Sequence, residues 1–305
     1  GFTVSPRSVI EAEGLSIPSF LDRDGATNID WETVESFGAE WEHFNAFSAS
    51  EIEAMGDGYF DALPPGFLTP RTSVLEIGSG SGRWLRYLAP KVGRVEAIEP
   101  SSAVVVSARS AAAHPNVRVV QADLARCPYP EGAFDLVIAL GVLHHMPDTA
   151  RAVIEAARYV RPGGRLLVYL YYALDNRGPG FRALYAVSNA LRRGIVRLPE
   201  RAKGAVCDVL AVTVYMPFVM AARAVAALAG PAAAERWVPL SYYRDRSFMV
   251  IRNDARDRFG TPLERRFNRG EVVAMLEAAG LEDVIVGEGQ PYYHASARRP
   301  ESGAG

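Results

Sequence analysis

Two cysteines in 305 residues, Cys127 and Cys207, are too few and too far apart for a disulfide framework or a cysteine-built zinc site. No metal is therefore expected, and a reducing cytoplasm is the expected setting. The N-terminus lacks the charged, apolar and cleavage regions of a signal peptide, while Gly1 in place of Met points to a trimmed start. Long apolar runs are missing as well. The uncharged stretch from Val209 to Ala222 has fourteen residues, short of the about 20 that a bilayer-spanning helix takes. A general basic excess is also absent: 33 Lys and Arg stand against 35 Asp and Glu, a net charge of −2. This balance makes nucleic acid an unexpected partner.

What is present is unevenly spread. Ala173 to Arg269 carries 17 basic and 8 acidic residues, leaving 16 and 27 in the remainder. With 49% hydrophobic residues, the chain can bury a substantial core. Residues 1–28 show little pattern and are expected to form an irregular arm. From Trp31 onward, Val34, Phe37, Trp41 and Phe44 recur at helical spacing. A second helix over Glu51 to Leu63 should stop at Pro64-Pro65-Gly66. These helices complete an N-terminal region of arm and cap, residues 1–70.

The densest signal is Val74-Leu75-Glu76-Ile77-Gly78-Ser79-Gly80-Ser81-Gly82, an apolar strand running into three glycines at alternate positions. Without a Cβ, glycine takes positive φ and lets the main chain approach a ligand closely, so this reads as the first βα turn of a nucleotide-binding sheet. A dinucleotide fingerprint is nevertheless missing. Counting from Gly78, the third glycine of G-x-G-x-x-G falls at Arg83, and counting from Gly80 it falls at Leu85. Further strands follow in order: Arg94 to Ile98 ending at Glu99-Pro100, Val117 to Leu124 with Asp123 near its end, Ala133 to Leu140, and, after Arg161-Pro162-Gly163-Gly164, Arg165 to Tyr172. An acidic residue about 20 positions beyond the glycine turn is placed to bind ribose hydroxyls.

The pattern E-x-G-x-G-x-G followed by these landmarks resembles the class I S-adenosylmethionine-dependent methyltransferases over Arg71 to Tyr172 and again over Glu271 to Arg298. The resemblance implies an α/β fold: a Rossmann-like, doubly wound, seven-stranded sheet, mostly parallel with the last strand antiparallel. It implies a helical cap and a helical insertion added to that sheet. The core then spans residues 71–172, the insertion 173–267 and the C-terminal completion 268–305. S-adenosylmethionine is the implied cofactor and S-adenosylhomocysteine its product. Glu76 with the backbone of Gly78, Ser79 and Gly80 would hold the methionine half, Glu99 with Pro100 the ribose, and Asp123 with Leu124 the adenine. Leu140 would lie near the sulfonium. In the insertion, Phe181 to Leu191 and Ala205 to Ala229 read as helices, the second kinked at Pro217. Asn268 can cap the helix beginning near Arg269, with Glu271 closing the cap.

The candidate chemistry centres on His144 and His145, which follow the fourth strand at the edge where open α/β sheets bind ligands. With ordinary pKa values near 6.5, either can accept a proton at neutral pH. One is expected to face the acceptor and the other to bond inward. The Leu143-His144-His145-Met146-Pro147-Asp148 string is similar to that of small-molecule and sugar O-methyltransferases. The implied reaction is O-methylation of a natural-product, glycan or other small or lipid-like acceptor, an anionic one included, with Tyr171 and Tyr172 as candidate acceptor contacts. C-methylation of an apolar or anionic acceptor such as a prenyl diphosphate, tRNA modification, and a non-catalytic S-adenosylmethionine-binding scaffold remain alternatives. The basic, apolar insertion leaves a membrane surface and a homodimer open as partners.

Overall fold

The computed structural model describes residues 1–24, 28–43, 47–175, 178–289 and 292–301. The chain divides into two compact units, one formed by Gly1–Ala173 with Leu263–Gly305 and the other by Leu174–Pro262.

The first unit begins with a hairpin where the sequence suggested an irregular arm. Strands β1 (Ser8–Ala12) and β2 (Leu15–Ser19) pair antiparallel. Glu13 and Gly14 both take positive φ, the conformation of a two-residue hairpin turn. The signal was faint because the strands are short and little of them is buried. The hairpin extends the main sheet's edge: Phe20 N–H donates to the Gln121 carbonyl and Gln121 N–H to that of Pro18, each at 2.8–2.9 Å, which satisfies an edge otherwise open to stray pairing. Helices α1 (Trp31–His43) and α2 (Ala49–Phe60) follow. Phe44, the last member of the aromatic stripe, lies outside the described residues. Ser48 and Glu51 form a capping box at the start of α2.

The chain then alternates strand and helix. β3 (Ser73–Ile77), α3 (Arg83–Leu88), β4 (Arg94–Ile98), α4 (Val104–Ala111), β5 (Val117–Val120), β6 (Phe134–Leu140), α5 (Thr149–Ala157) and β7 (Val160–Tyr169) precede the second unit. Helix α11 (Arg269–Ala278) and strands β8 (Glu282–Val286) and β9 (His294–Arg298) complete the first unit after it. The seven-stranded sheet has the order β5-β4-β3-β6-β7-β9-β8. β3 to β7 pair parallel and β9 is antiparallel to both its neighbours. Helices cover both faces, which is why β3 and β6 read as continuous apolar runs. The strand order reverses between β3 and β6, and a ligand in such a sheet binds beyond the carboxyl ends at that point.

Two boundaries differ from the sequence reading. The strand expected over Arg165 to Tyr172 is β7, which starts at Val160 and ends at Tyr169. A register shift opposite Phe134 and Leu136 lets the Pro-Gly-Gly segment sit within it. Tyr171 and Tyr172 therefore lie beyond the strand. The third strand also stops early, at Val120, and Asp123 caps a 3₁₀ turn over Leu124–Arg126. The cap on α11 is as expected, with reciprocal bonds between Asn268 and Glu271 at 2.7 and 2.9 Å.

In the second unit, α6 (Pro179–Ile195), α7 (Glu200–Leu210), α8 (Met216–Ala229) and α10 (Phe248–Gly260) pack around Cys207, Ala211, Tyr215, Val219, Ile251, Ala255 and Phe259, and α9 (Pro231–Trp237) packs on α8. α7 and α8 form one helix from Arg201 to Ala229, long and apolar enough by length and composition to cross a membrane. A π-type turn over Ala211–Tyr215 joins them. It sits just before Pro217, whose missing N–H and ring would break a regular helix, so the wider turn absorbs the expected kink.

Asp135 ties β3 to β7. Its Oδ2 accepts from the Ser73 N–H and hydroxyl at 2.8 and 2.6 Å, and its Oδ1 accepts from Arg161 at 2.6 Å. Burial alone would push this carboxyl up, but the bonds from Ser73 and Arg161 outweigh it and hold it below the ordinary carboxylate value. The resulting stability is fully present above about pH 4 and is lost as pH falls through the lowered folded value. Asp135→Asn should lower unfolding stability in urea by about 1–2 kcal/mol at pH 7, and the gap from the wild type should narrow as pH falls below about 4.

Candidate active site

The glycine turn leaves β3 with positive φ at Gly78, Gly80 and Gly82. The Gly78 and Ser79 N–H groups donate to the Ile98 carbonyl at 2.8 and 3.3 Å, which locks the turn to the end of β4. Each glycine also makes room for a different neighbour. A Cβ on Gly78 would stand 2.7 Å from the Val142 side chain, one on Gly80 3.0 Å from the Trp41 indole, and one on Gly82 2.7 Å from Ser110. Thus α1 lies across the turn through Trp41, and α4 packs on α3 through Gly82.

Three carboxylates line the carboxyl edge of β3, β4 and β5. Glu76 is 1% exposed and neither of its oxygens has a hydrogen-bond partner among the described residues. Burial pushes its carboxyl well above the ordinary range; Arg83 pulls it down and Glu99 adds to the rise. A buried acceptor without a donor costs about 1–3 kcal/mol, so an orphan of this kind calls for a ligand donor. The ammonium of a methionine moiety is a donor of matching charge.

Glu99 is already engaged. Its Oε2 accepts from the Gly80 N–H at 2.9 Å, and its Oε1 accepts from the Ser101 N–H and hydroxyl at 2.9 and 2.6 Å. A carboxylate offers about four acceptor positions, so one is open to a ribose hydroxyl while the other three hold the turn in shape. Ser101 was not picked out from the sequence, where it reads only as a helix-start serine after Glu99-Pro100. Asp123 uses Oδ1 to accept from the Arg126 N–H at 2.9 Å; its Oδ2 is buried without a hydrogen-bond partner among the described residues, 3.8 Å from the Arg126 guanidinium. Burial raises this carboxyl too. Oδ2 is an acceptor suited to an exocyclic amino group, and the buried Leu124 beside it supplies apolar surface.

The other wall starts where β6 ends. Leu140 is buried. Gly141 follows at positive φ with open space where a Cβ would be. A 3₁₀ turn over Leu143–His145 then places both histidines inside the protein. The His144 ring is completely buried, 3.9 Å from the Tyr171 ring at 32° and 4.0 Å from that of His145. Burial holds its pKa well below 6.5, helped by His145 and Arg266; the Tyr169 backbone acts weakly the other way. Neither His144 nitrogen has a partner of good hydrogen-bond geometry among the described residues. His145 differs, because its Nδ1 sits 2.7 Å from the Leu263 carbonyl. A carbonyl only accepts, so Nδ1 carries the proton.

The structure brings the cofactor candidates and the histidines to one edge of the sheet and separates the two tyrosines. Tyr171 stacks on His144, with the Arg266 guanidinium 5.1 Å from its ring centroid. Tyr172 instead packs against Tyr292 and Tyr293. Sequence reasoning missed the segment Leu263 to Phe267, which binds both His145 and, through Arg265 N–H at 3.1 Å, the His144 carbonyl. It also missed Tyr59, whose ring lies 5.1 Å from that of Tyr169, and His294, buried and bonded to Asp61. These contacts join segments far apart in the chain, and no spacing rule links them. Among the described residues no group of three or more His, Cys, Asp or Glu could hold a metal ion.

A raised Glu76 pKa means that the folded state binds this proton more tightly than the unfolded chain. Stability is therefore greatest below the unfolded value of about 4.3 and falls as pH rises towards the folded value. Glu76→Gln should make the ligand-free protein more stable at pH 7 by about 1–3 kcal/mol, with the difference vanishing near pH 4. The same variant should bind S-adenosylhomocysteine at least about tenfold more weakly, which thermal shifts with and without ligand would measure together.

Residues 75–168 match the methyltransferase domain family. A probable S-adenosylmethionine-dependent methyltransferase of Mycobacterium tuberculosis is 38% identical over 104 residues, covering 33% of this chain and 37% of that one. The 27-O-demethylrifamycin SV methyltransferase of Amycolatopsis mediterranei is 42% identical over 98 residues, covering 30% and 36%. The matched stretch thus spans less than half the length of these curated relatives. Among solved structures, a putative methyltransferase from Bacillus halodurans covers 76% of this chain and 94% of its own, at 16% identity and a TM-score of 0.44. With its glycine turn, its three carboxylates and its 75–168 match, this chain carries a class I S-adenosylmethionine-dependent methyltransferase domain.

Proposed function

We propose that the chain methylates a hydroxyl oxygen of a small or lipid-like acceptor in the cytoplasm, with His144 as the general base. The observation that carries this reading is the buried His144 imidazole, without a well-aligned hydrogen-bond partner among the described residues and one turn beyond β6. β6 is the strand next to β3, so the imidazole and the glycine turn share the crevice where the strand order reverses.

Bound S-adenosylmethionine supplies an electrophilic methyl group on a sulfonium. Glu76, Glu99 and Asp123 would hold its ammonium, ribose and adenine, and the glycine turn would admit it at close range. Positioning of this kind contributes on the order of 7–11 kcal/mol when donor and acceptor are held in line. The acceptor hydroxyl gives its proton to His144 as its oxygen bonds to the methyl carbon, and the electron pair of the breaking bond stays on sulfur. A histidine with a depressed pKa is unprotonated throughout the neutral range and ready for this step. His145, held by Leu263, positions the His144 ring from the side. The relative named for 27-O-demethylrifamycin SV supports oxygen as the nucleophile.

His144→Ala should lower kcat by about 10² to 10⁴ with little change in S-adenosylhomocysteine affinity. His145→Ala should have a smaller effect. S-adenosylhomocysteine release over a panel of hydroxylated acceptors is the readout. The wild-type rate should lose its base only well below pH 6.5, the direction set by burial of His144. Unchanged turnover in His144→Ala would remove the base from the mechanism.

A further inference from the structure

The second unit wears one of its helices inside out. In α6, Tyr185, Ser188, Asn189 and Arg192 share a face at helical spacing, and that face packs inward. Arg192 is buried and donates to the Thr261 and Pro262 carbonyls at 2.7 and 3.0 Å; Arg258 of α10 donates to the Ser188 hydroxyl at 3.1 Å and lies 4.8 Å from the Tyr185 ring. The opposite face is apolar and turned to solvent: Leu184, Val187 and Leu191 are 43, 60 and 52% exposed, with Ala183 and Ala190 beside them. An amphipathic helix on a globular unit normally shows the reverse arrangement.

The long helix buries an apolar side as usual but exposes a second apolar side. Its buried side is Cys207, Ala211, Tyr215 and Val219. Its exposed side runs through Ala205, Val209, Val212, Pro217, Met220, Ala221, Ala224 and Leu228. Only Arg223 interrupts it with a charge beyond Arg201. A helix of this length reaches about 40 Å, and an exposed apolar strip so long with a single charge in it marks a surface that something covers.

Charge identifies the cover. α6 has three arginines and no acidic residue, and residues 176–199 have five arginines and none. Across residues 174–262 there are 14 basic and 7 acidic residues, a balance of +7, against −9 for the rest of the chain. Arg182, Arg193 and Arg197 are exposed around the apolar stripe of α6. Apolar residues bordered by arginines are the chemistry that inserts between lipid tails while pairing with anionic headgroups. We propose that the second unit docks on the surface of an anionic lipid bilayer through α6 and the exposed side of the α7–α8 helix. The helix lies on the membrane and does not cross it. Its inward face is bound to a polar helix, with Asp208 paired to Arg252 of α10 at 2.7 Å, and burying α10 with Arg252, Asp254, Arg256, Asp257 and Arg258 in hydrocarbon would be prohibitive. The proposal does not depend on which acceptor the first unit methylates.

The test is co-sedimentation of the full chain with phosphatidylcholine vesicles, with and without about 30% phosphatidylglycerol, the latter supplying the negative surface potential. Binding is expected on the anionic vesicles, and raising the salt towards 0.5 M should weaken it about tenfold by screening. Val187→Asp with Leu191→Asp, both at exposed positions, should reduce binding about a hundredfold, while helix content by circular dichroism stays unchanged. Arg182→Glu with Arg193→Glu should remove the preference for anionic lipid. Absence of binding to anionic vesicles, or binding that the Val187 and Leu191 changes leave intact, would overturn the proposal. So would a dimer in analytical ultracentrifugation that those changes dissociate in a chain that ignores vesicles, because a second copy would then be the cover.

Discussion

A carboxylate held away from water without a donor is the constraint around which the first unit is organised. Glu76 sits at the carboxyl end of the central strand, where both faces of the sheet are covered. It is 1% exposed and no described protein group bonds it. Such a group costs stability unless it neutralises or finds a cation. Around it stand three glycines at positive φ, Glu99 spent mostly on fixing the turn, and Trp41 of α1 laid over Gly80, and on our proposal these keep the position open to a ligand. The site therefore trades stability for affinity, a trade common where binding needs unsatisfied groups.

Most of this was legible in the sequence, because it rests on local chemistry. The glycine spacing requires particular backbone angles, and parallel strands buried on both faces must be apolar along their length. The seven-stranded sheet and its antiparallel last strand came from a family resemblance and not from periodicity. What the sequence hid depends on contacts across the chain. The hairpin at Glu13-Gly14 finds its partner at Gln121, over a hundred residues away. Leu263, more than a hundred residues past His145, sets that ring's tautomer. The Arg165 to Tyr172 reading overran the strand because Tyr171 and Tyr172 have strand-like character; their aromatic partners, His144 for one and Tyr292 with Tyr293 for the other, take them elsewhere.

The two units answer different physical demands. The first is acidic on balance and buries carboxylates at its carboxyl edge, which on our proposal receive a cationic cofactor. The second is basic, and its α6 buries polar side chains while exposing apolar ones, whereas its long helix is apolar on both its buried and its exposed side. An inside-out helix cannot be read from composition alone, because its hydrophobic periodicity is that of any amphipathic helix. Only the packing of Arg192 against the Thr261 and Pro262 carbonyls shows which face is inward.

The central claim is that the edge built from Glu76, Glu99 and Asp123 recognises S-adenosylmethionine and not a dinucleotide. Isothermal titration calorimetry of the whole chain with S-adenosylhomocysteine and, separately, with NADH tests it directly. Saturable binding of S-adenosylhomocysteine with no heat from NADH is the predicted result; binding of NADH without S-adenosylhomocysteine would contradict it.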